Sequence, residues 1–214
     1  NGFLFIESFS LHGILKDNLF DNIYHEHLSY FSIDVLSKYL ERFDLQLIDA
    51  DHLSIKGGSI RILLKKSKEK FKLTKKVKNI ILKERKFTKN VKKSFDRIKK
   101  INTVNKKYIN KFFKEKNKSK IFGYGASVGT TTFIYDYNLT KKIKFIFDDE
   151  KRRHSKFVPG TNIKVINPKS IKIIKPSFIL IFAWRYTNHI VKRNKINNFT
   201  KFVKPLPGVM KILK

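Results

Sequence analysis

The sequence predicts an α/β protein in three parts, over residues 1–65, 66–118 and 119–214. In the first and third parts, short apolar runs typical of buried strands alternate with segments of helical period. The middle part has neither Pro nor Gly, and its apolar residues recur at three- and four-residue steps. A hydrophobic content of 41% over 214 residues is enough for one large or two small domains, and 14% aromatic residues exclude a wholly disordered chain.

The first part is expected to hold three strands and one helix. The run GFLFIES predicts a buried strand, and IDVLSKYLERF has its apolar residues at helical spacing. LQLIDA and SIRILL then predict two strands, and the short connection between them contains Gly57 and Gly58. This pattern is typical of a hairpin, so the first part should end as a hairpin at the edge of a sheet.

The middle part carries most of the charge, because residues 65–120 contain 22 Lys and 2 Arg but only 4 acidic residues. Its apolar spacing predicts two or three amphipathic helices with solvated Lys faces. The residues that carry this spacing are Val77, Ile80, Ile81, Val91, Phe95, Ile98, Tyr108, Ile109, Phe112 and Phe113. Disorder is the alternative for this segment, since it is highly charged.

The third part has the pattern of a parallel α/β unit. KIFGYGASVGTTTFIYDY predicts a strand, a Gly-rich turn and a helix, and IKFIFDD predicts a second strand. PSFILIFAW predicts a third strand, and its nearly uniform apolar character is typical of a strand covered on both faces.

The net charge of +31 first suggests a nucleic-acid partner. Most of the 48 basic residues are Lys, however, whereas proteins that read bases favour the bidentate fork of Arg. Lys, Ile, Phe and Asn dominate the sequence and share A+T-rich codons, which gives the charge a genomic explanation. We therefore expect weak attraction to phosphates and no specific nucleic acid. No membrane partner is expected either, because the basic segments lack the Trp/Leu-rich face of an interfacial helix.

The absence of Cys excludes disulfides, Cys-based zinc sites and Cys nucleophiles within these residues. No apolar run reaches the roughly 18 residues that span a bilayer, and no signal peptide is visible, so a cytoplasmic location is expected. The sequence starts at Asn1, and its single Met is Met210. We therefore expect a piece of a longer protein that lacks its N-terminal part.

The densest group of ionisable residues in the first part is Tyr24, His25, Glu26 and His27. In a helix Tyr24 and His27 would share a face, whereas in an extended segment His25 and His27 would do so. Either arrangement gives a His with a carboxylate near enough to orient it, the usual composition of a general base. The alternative is that the two His residues cap local structure. A metal site is disfavoured, because His-x-His is followed by no obvious second ligand pair.

Gly57, Gly58 and Ser59, followed by Arg61, form a second candidate site. Adjacent glycines let a backbone approach a ligand closely, and an Arg at this distance is suited to phosphate. An ordinary hairpin loop would need the same glycines, so this alternative stays open.

The turn Gly123–Gly129 is the third candidate, because it follows a predicted strand and opens a predicted helix whose first amides suit a phosphate. Asp148 and Asp149 end the next strand, where Rossmann folds place a ribose-binding acid. The spacing is Gly-x-Gly-x-x-x-Gly, which differs from the dinucleotide fingerprint and argues against NAD. A turn without a ligand is the alternative.

Taken in order, five motifs resemble the S-adenosylmethionine-dependent C-methyltransferases that act on nucleotide-linked keto-deoxysugars. The motifs are FDNIYHEHLSYFS, GGSIRI, GYGASVGTTT, FDDEKRRHSKFVPGTNIKV and PSFILIFAW. They extend over nearly all of the chain, and the Tyr-His-Glu-His block followed by Gly-Gly-Ser-x-Arg is the most specific pair. The resemblance implies the C-terminal portion of such an enzyme.

The resemblance also implies an architecture. Residues 1–65 would be the C-terminal part of a methyltransferase domain and the end of its Rossmann-like sheet. Residues 66–118 would be a basic helical connector, and residues 119–214 a second, C-terminal Rossmann-like α/β domain. The loop that binds S-adenosylmethionine would precede Asn1, as would a Cys-rich domain that binds zinc; no metal is expected in the present residues.

In this family pattern His27 matches the general base that removes the proton next to the sugar ketone. Tyr24 and Glu26 match residues that flank the sugar and position that base. The resulting enolate attacks the methyl group of the cofactor. Contacts to the nucleotide-linked sugar are implied for His25, Gly57, Gly58, Ser59, Arg61, Gly123, Tyr124, Gly125, Lys156, Pro159 and Gly160.

Three residues depart from the family pattern: Val128 replaces a Lys, Arg185 an Asn and His189 a Glu. They lie in the C-terminal domain, so they affect the identity of the substrate more than the methyl transfer. Two other functions stay open: a nucleotide-sugar-binding module without catalysis, and a basic protein that binds nucleic acid.

Overall fold

The computed structural model describes residues 2–53, 58–194 and 199–213. The chain divides into two compact units, residues 1–98 and 99–214. Each unit combines helices with a sheet of its own, which confirms the predicted α/β class.

The first unit is built on an antiparallel sheet. Its elements are β1 (Phe3–Phe9), α1 (Leu11–Asp17), α2 (Ile33–Glu41), β2 (Leu45–Leu53), β3 (Ser59–Lys66) and α3 (Lys75–Thr88), with a 3₁₀ turn at 20–22. The strand order is β1-β3-β2, so β3 lies in the middle. Strands β2 and β3 pair antiparallel, which confirms the predicted hairpin.

The core of this unit lies between the sheet and helices α2 and α3. Ile60, Ile62 and Leu64 alternate along β3, so they point to one face, and all three are fully buried there. Val77 and Ile81 of α3 pack into the same cluster. The helices are therefore held by the apolar stripe that the sequence spacing predicts.

Strand β1 differs from the sequence interpretation, which predicted a buried strand. Phe3 and Phe5 are 66% and 58% exposed. Within the described residues β1 pairs along one side only, with β3, so it is an edge strand. An apolar run identifies a strand, but it does not tell how many neighbours cover that strand.

Two helices, α3 and α4 (Val91–Glu115), occupy most of the Lys-rich segment, so the helical interpretation is confirmed over disorder. The Thr74 side chain caps α3 by accepting a hydrogen bond from the amide of Val77. Helix α4 begins in the first unit and continues into the second. It buries Ile98 and Ile109 on one stripe, while most of its Lys side chains face solvent.

The second unit has a six-stranded sheet. Its elements after α4 are β4 (Ile121–Tyr124), α5 (Val128–Asp136), β5 (Phe145–Phe147), β6 (Lys164–Ile166), α6 (Ile171–Ile174), β7 (Phe178–Ile181), α7 (Thr187–Asn194), β8 (Lys201–Lys204) and β9 (Lys211–Ile212). The strand order is β6-β5-β4-β7-β8-β9, and all pairs are parallel except β8 with β9. The predicted strands are β4, β5 and β7, and their parallel pairing is confirmed.

Strand β7 is buried along its whole length, as its uniform apolar run predicts. Tyr124 and Phe147 pack on one face of the sheet together with Ile171 of α6 and Ile190 of α7. The chain order reverses between β4 and β7, so their carboxyl ends mark the switch point of the sheet. In open α/β sheets, ligands bind in the crevice at this edge.

Candidate active site

The segment from Asn22 to Tyr30 holds the strongest candidate for chemistry. The Tyr24 hydroxyl lies 2.8 Å from Nε2 of His27, and Nδ1 of His27 lies 2.7 Å from the carbonyl oxygen of Asn22. A carbonyl can only accept, so Nδ1 carries the proton in the neutral ring. Nε2 therefore has the free lone pair and accepts from Tyr24. This is the state that a general base needs.

Aromatic rings surround this imidazole. The ring centroid of His27 lies 4.2 Å from that of Phe9 and 4.0 Å from that of Tyr24. The Tyr30 ring meets His27 edge-on, and its hydroxyl donates to the Asn22 carbonyl at 3.2 Å. Burial raises the pKa of Tyr30, so it stays a neutral donor at physiological pH. The local fold thus fixes both the orientation and the tautomer of His27.

The neighbours His25 and Glu26 are exposed. In the part of the chain that the structure describes, Glu26 forms no hydrogen bond or ion pair with His27. The expected carboxylate partner is thus replaced by the backbone carbonyl of Asn22. Sequence spacing gives no sign of this partner, because a carbonyl is present at every residue. The roles of His25 and Glu26 toward a substrate stay predictions.

The second candidate site lies at the start of β3, and its Gly57 falls outside the described residues. The carbonyl of Gly58 accepts from the amide of Ser10 at 3.3 Å, and Ser59 is buried. Arg61 donates twice to the Glu7 carboxylate, at 3.2 and 2.8 Å. A phosphate would therefore have to compete with Glu7 for the Arg61 guanidinium.

A cluster that the sequence analysis missed lies behind the His27 segment. Glu84 of α3 is fully buried, and its Oε2 accepts from the amide of Ile33 at 2.8 Å, where α2 begins. Its Oε1 lies 3.3 Å from Nε2 of His52, without hydrogen-bond geometry. Nδ1 of His52 in turn lies 3.5 Å from the hydroxyl of Ser10, and the His12 ring is 5.0 Å from that of His52.

These contacts connect elements that precede and follow the His27 segment. Ser10 directly follows β1 and caps α1, next to Phe9, whose ring contacts His27, and Ile33 begins α2 after the segment. The signal in the sequence was the position of Glu84 itself. It continues the buried stripe of Val77 and Ile81 at helical spacing, where an acidic residue is out of place unless it has a buried partner.

In the second unit, the Gly-rich turn is already occupied by protein groups. The amide of Ala126 donates to Asp148 Oδ2 at 2.6 Å. Ser127 caps α5 by accepting from the amide of Thr130, and Thr130 Oγ1 accepts from the amide of Ser127. A phosphate bound at this turn would therefore have to displace a carboxylate.

Both acidic groups at the end of β5 have fixed partners as well. Asp148 also accepts from the amide of Glu150 at 2.7 Å and from Arg153 at 3.1 Å. Asp149 accepts from the Tyr124 hydroxyl at 2.9 Å and pairs with Arg193 at 2.9 Å. The two carboxylates thus hold this corner of the unit together.

Tyr124 is the buried centre of that network. Its hydroxyl donates to Asp149 and accepts from the side-chain amide of Asn194 at 3.3 Å. Burial above all, with further help from the Asp149 carboxylate, raises the pKa of Tyr124 to about 12. This hydroxyl is therefore a permanent donor near neutral pH.

The predicted glycines of this unit are required by packing. A Cβ on Gly123 would lie 2.6 Å from the Phe182 ring, and one on Gly125 would lie 2.5 Å from the Cβ of Ala183. Gly160 has φ +67, and a Cβ there would lie 2.2 Å from the Tyr135 hydroxyl. Packing thus explains why these positions are glycine, without reference to any ligand.

The hydroxyl of Tyr135 donates to the carbonyl of Pro159 at 3.2 Å, which fixes the turn at Pro159 and Gly160. The Lys156 side chain is exposed, and its carbonyl accepts from the amide of Val165. The substrate contacts implied for Lys156, Pro159 and Gly160 stay predictions.

A cleft of about 520 Å³ lies at the carboxyl edge of the second sheet, where β5 and β6 end. It is lined by Lys151, His154, Lys169, Lys172, Arg193 and Asp149, among others. Nε2 of His154 donates to the carbonyl of Asp148 at 2.7 Å, so Nδ1 of the neutral ring is the acceptor. The excess of positive charge suits an anionic ligand.

Within residues 2–53, 58–194 and 199–213, no group of three His, Asp or Glu side chains is arranged to hold a metal ion. None of the helices in these ranges combines the length and the apolar composition of a bilayer-spanning segment.

Comparison with known proteins assigns the chain to a family. The model of the C-methyltransferase C-terminal domain matches residues 54–207. C-methyltransferase NovU from Streptomyces niveus is 25% identical in an alignment 214 residues long. The alignment covers 97% of this chain and 50% of that protein. The chain thus spans about half the length of the curated relative that it matches. On this evidence the chain belongs to the family of C-methyltransferase C-terminal domains.

Proposed function

We propose that this chain supplies the acceptor side of an S-adenosylmethionine-dependent C-methyltransferase whose substrate is a nucleotide-linked keto-deoxysugar. The family supports methyl transfer to carbon, and the motif set supports the sugar. The observation that carries the proposal is the imidazole of His27. The carbonyl of Asn22 fixes the tautomer of this ring, and the lone pair on Nε2 accepts a hydrogen bond from the Tyr24 hydroxyl. Carbon methylation needs such a base, because a C–H bond must lose its proton before the carbon can attack.

The acceptor chemistry follows from these contacts. A ketone acidifies the neighbouring C–H, and Nε2 of His27 takes that proton while the bonding electron pair forms an enolate. The Nδ1–H stays bonded to Asn22, so the imidazolium keeps its position. The Tyr24 hydroxyl loses Nε2 as its acceptor at this moment and turns to the enolate oxygen, where a donor stabilises the developing charge.

S-adenosylmethionine would supply the electrophilic methyl group that the enolate carbon attacks, and its sulfur would leave as a neutral thioether with the electron pair of the broken S–CH₃ bond. The described strands of the first unit form an antiparallel sheet, and none of them leads through a Gly-rich turn into a helix. The residues of this unit therefore do not fit the usual cradle of that cofactor, so we assign only acceptor chemistry to this chain.

A nucleotide-sugar-binding module without catalysis is the second candidate. The positively charged cleft at the carboxyl edge of the second sheet favours it, since Lys151, Lys169 and Lys172 suit the phosphates of such a ligand. A module of this kind would bind the nucleotide sugar but leave its C–H bonds intact.

Deuterium exchange separates the two candidates and needs no methyl donor. The chain is incubated in D₂O with a dTDP-linked 4-keto-deoxysugar, and NMR follows loss of the proton next to the ketone. We expect exchange above the buffer rate, and we expect His27→Gln to slow it about 10²–10⁴-fold, the usual contribution of a general base. Lys93→Gln replaces an exposed side chain of α4, outside every candidate site, and should leave exchange unchanged.

Binding of the sugar nucleotide is measured in the same samples by titration calorimetry. Binding without exchange would favour the binding module. Exchange that survives His27→Gln would remove His27 from the mechanism.

A further inference from the structure

A second cleft of about 520 Å³ lies at the opposite, amino edge of the sheet in the second unit. The end of α4, residues 116–120, the start of β4 and residues 141–144 surround it. Among the residues for which the structure gives a position, none that lines it is acidic. Its basic residues are Lys114, Lys116, Lys120, Lys141, Lys142 and Lys144.

These six lysines differ from their neighbours in counter-charges. Nearby lysines of α4 have them, because Lys106 pairs with Asp136 at 2.7 Å and Lys111 with Glu115 at 3.7 Å. Among the residues that the structure describes, none of the six cleft lysines forms an ion pair with a carboxylate. Like charges around one cavity repel each other, so an anion placed between them would be strongly attracted.

Some of these lysines are nevertheless held in place. Lys142 donates to the side-chain oxygen of Asn110 at 2.5 Å and lies 5.7 Å from the ring centroid of Phe113. Lys144 lies 5.7 Å from the ring centroid of Phe145. Amide and ring contacts order an ammonium group without cancelling its charge. The cleft thus presents ordered cations that are still available to a ligand.

Two simpler explanations account for only part of this arrangement. The carbonyl groups at the end of α4 carry roughly half a negative charge, which offsets about half of one lysine. The composition of the chain places lysines over its whole surface. It does not account for their convergence on one cavity that lacks acidic residues.

We propose that this cleft binds a polyphosphate group, either inorganic or carried by a nucleoside triphosphate. Lys is a compact charge suited to phosphate, and the cavity volume lies within the range of small-molecule sites. The buried rings of Phe113 and Phe122 give the cavity an apolar part as well. This cleft is separate from the one at the carboxyl edge, because it lies at the other edge of the sheet from Asp149.

Titration calorimetry with the 214-residue chain tests the proposal, with inorganic triphosphate and ATP as probes. The double variant Lys120→Gln/Lys142→Gln should weaken binding of both probes at least about tenfold, because each lost charge-assisted contact to phosphate is large. Lys201→Gln/Lys211→Gln makes the same change of net charge at exposed strand positions and should bind like the parent. The fluorescence of Trp184 reports that the second unit of each variant is folded.

Equal affinity for both probes would identify the phosphate chain as the ligand, and tighter binding of ATP would add a contact from the nucleoside; both outcomes support the proposal. Absence of binding, or equal weakening in the two double variants, would overturn it, since diffuse charge would then explain the attraction. Tighter binding of a single-stranded oligothymidylate that displaces triphosphate would overturn it in favour of nucleic acid.

Discussion

Glu84 of the first unit and Asp148 of the second are both buried carboxylates, but they have different partners. Asp148 in the second unit is bound by two backbone amides and by Arg153. Glu84 in the first unit is bound by one amide and faces His52, with His12 beyond it. An Arg keeps its charge at any physiological pH, whereas a His does not.

The difference shows that burial alone does not make a site sensitive to pH. The carboxylate of Asp148 is held by two amides and a guanidinium, which do not titrate near neutrality. The cluster around Glu84 depends on imidazoles, and it lies next to the segment that carries His27, since Phe9 and Ser10 link the two. Because burial lowers the pKa of His12, conditions that charge this imidazole should act on the first unit.

Removing Glu84 should have the largest effect. Glu84→Ala leaves the amide of Ile33 without its acceptor and opens a cavity beside His52, so we expect a loss of about 3–5 kcal/mol in the free energy of unfolding of the first unit. Glu84→Gln keeps an oxygen for the Ile33 amide and should lose less. Urea unfolding followed by far-UV circular dichroism measures the change.

The single Trp of the chain makes this experiment specific for one unit. Trp184 lies in the second unit, so its fluorescence should report an unchanged transition in the Glu84 variants. Glu115→Ala removes an exposed Glu of α4 and should cost no more than about 0.5 kcal/mol. A loss below about 1 kcal/mol in Glu84→Ala would show that Glu84 does not anchor the start of α2.

Sequence patterns predicted the elements whose side chains follow one clear period. The runs that became β4, β5 and β7 and the spacing of α2, α3 and α4 all identified real elements. Strands β6, β8 and β9 were missed because each contains Lys beside its apolar residues (KVI, KFVK and KI), so no apolar run marks them. The edge position of β1 was also missed, because it depends on neighbours that a single strand does not encode.

The candidate site was predictable in its residue types but not in its partners. The block from Tyr24 to His27 is visible in the sequence, and the structure brings Tyr24 and His27 together. The acceptor that orients His27 is a backbone carbonyl, and Glu84 reaches the amide of Ile33 across 51 positions of sequence. Contacts of this kind depend on the folded arrangement, which residue spacing does not specify.

The second unit should lose stability in alkali through Tyr124. Burial raises the pKa of Tyr124 to about 12, above its ordinary value of 10.0, so the folded state favours the neutral hydroxyl. Its contribution to stability is complete below the unfolded pKa and is lost as the pH rises toward the folded one, by an amount on the order of 2 kcal/mol.

Comparison with Tyr124→Phe isolates this effect from the titration of the many lysines. The variant should lose about 1 kcal/mol at neutral pH, because Asp149 and Asn194 lose their partner. The stability of the parent should then fall toward that of the variant, and below it, between about pH 10 and about pH 12. Trp184 fluorescence in urea measures both, and Tyr186→Phe, at an exposed Tyr, is the control. A constant difference over this range would contradict the burial of Tyr124 as the cause.

The smallest expected effect is the acid response of the first unit through His12. Burial lowers the pKa of His12 below its ordinary 6.5, and the nearby imidazole of His52 lowers it further. Lys16 acts in the same direction, while Glu84 and Asp17 act against it. The folded state thus binds its proton less readily than the unfolded state, so stability is complete above pH 6.5 and is lost as the pH falls through the folded pKa.

One proton limits the slope to about 1.4 kcal/mol per pH unit, and circular dichroism in urea between about pH 7.5 and about pH 5.5 is the measurement. His12→Gln should flatten the dependence, whereas His189→Gln, at an exposed His of the second unit, should keep it.

Exchange rates of the nucleotide sugar in the same buffers extend the argument to the site. If acid loosens the cluster that holds Phe9 and Ser10, then lowering the pH should reduce the exchange rate more steeply in the parent than in His12→Gln. Parallel pH profiles would instead mean that His27 is held by its own segment, through Asn22 and Tyr24, independently of the cluster behind it.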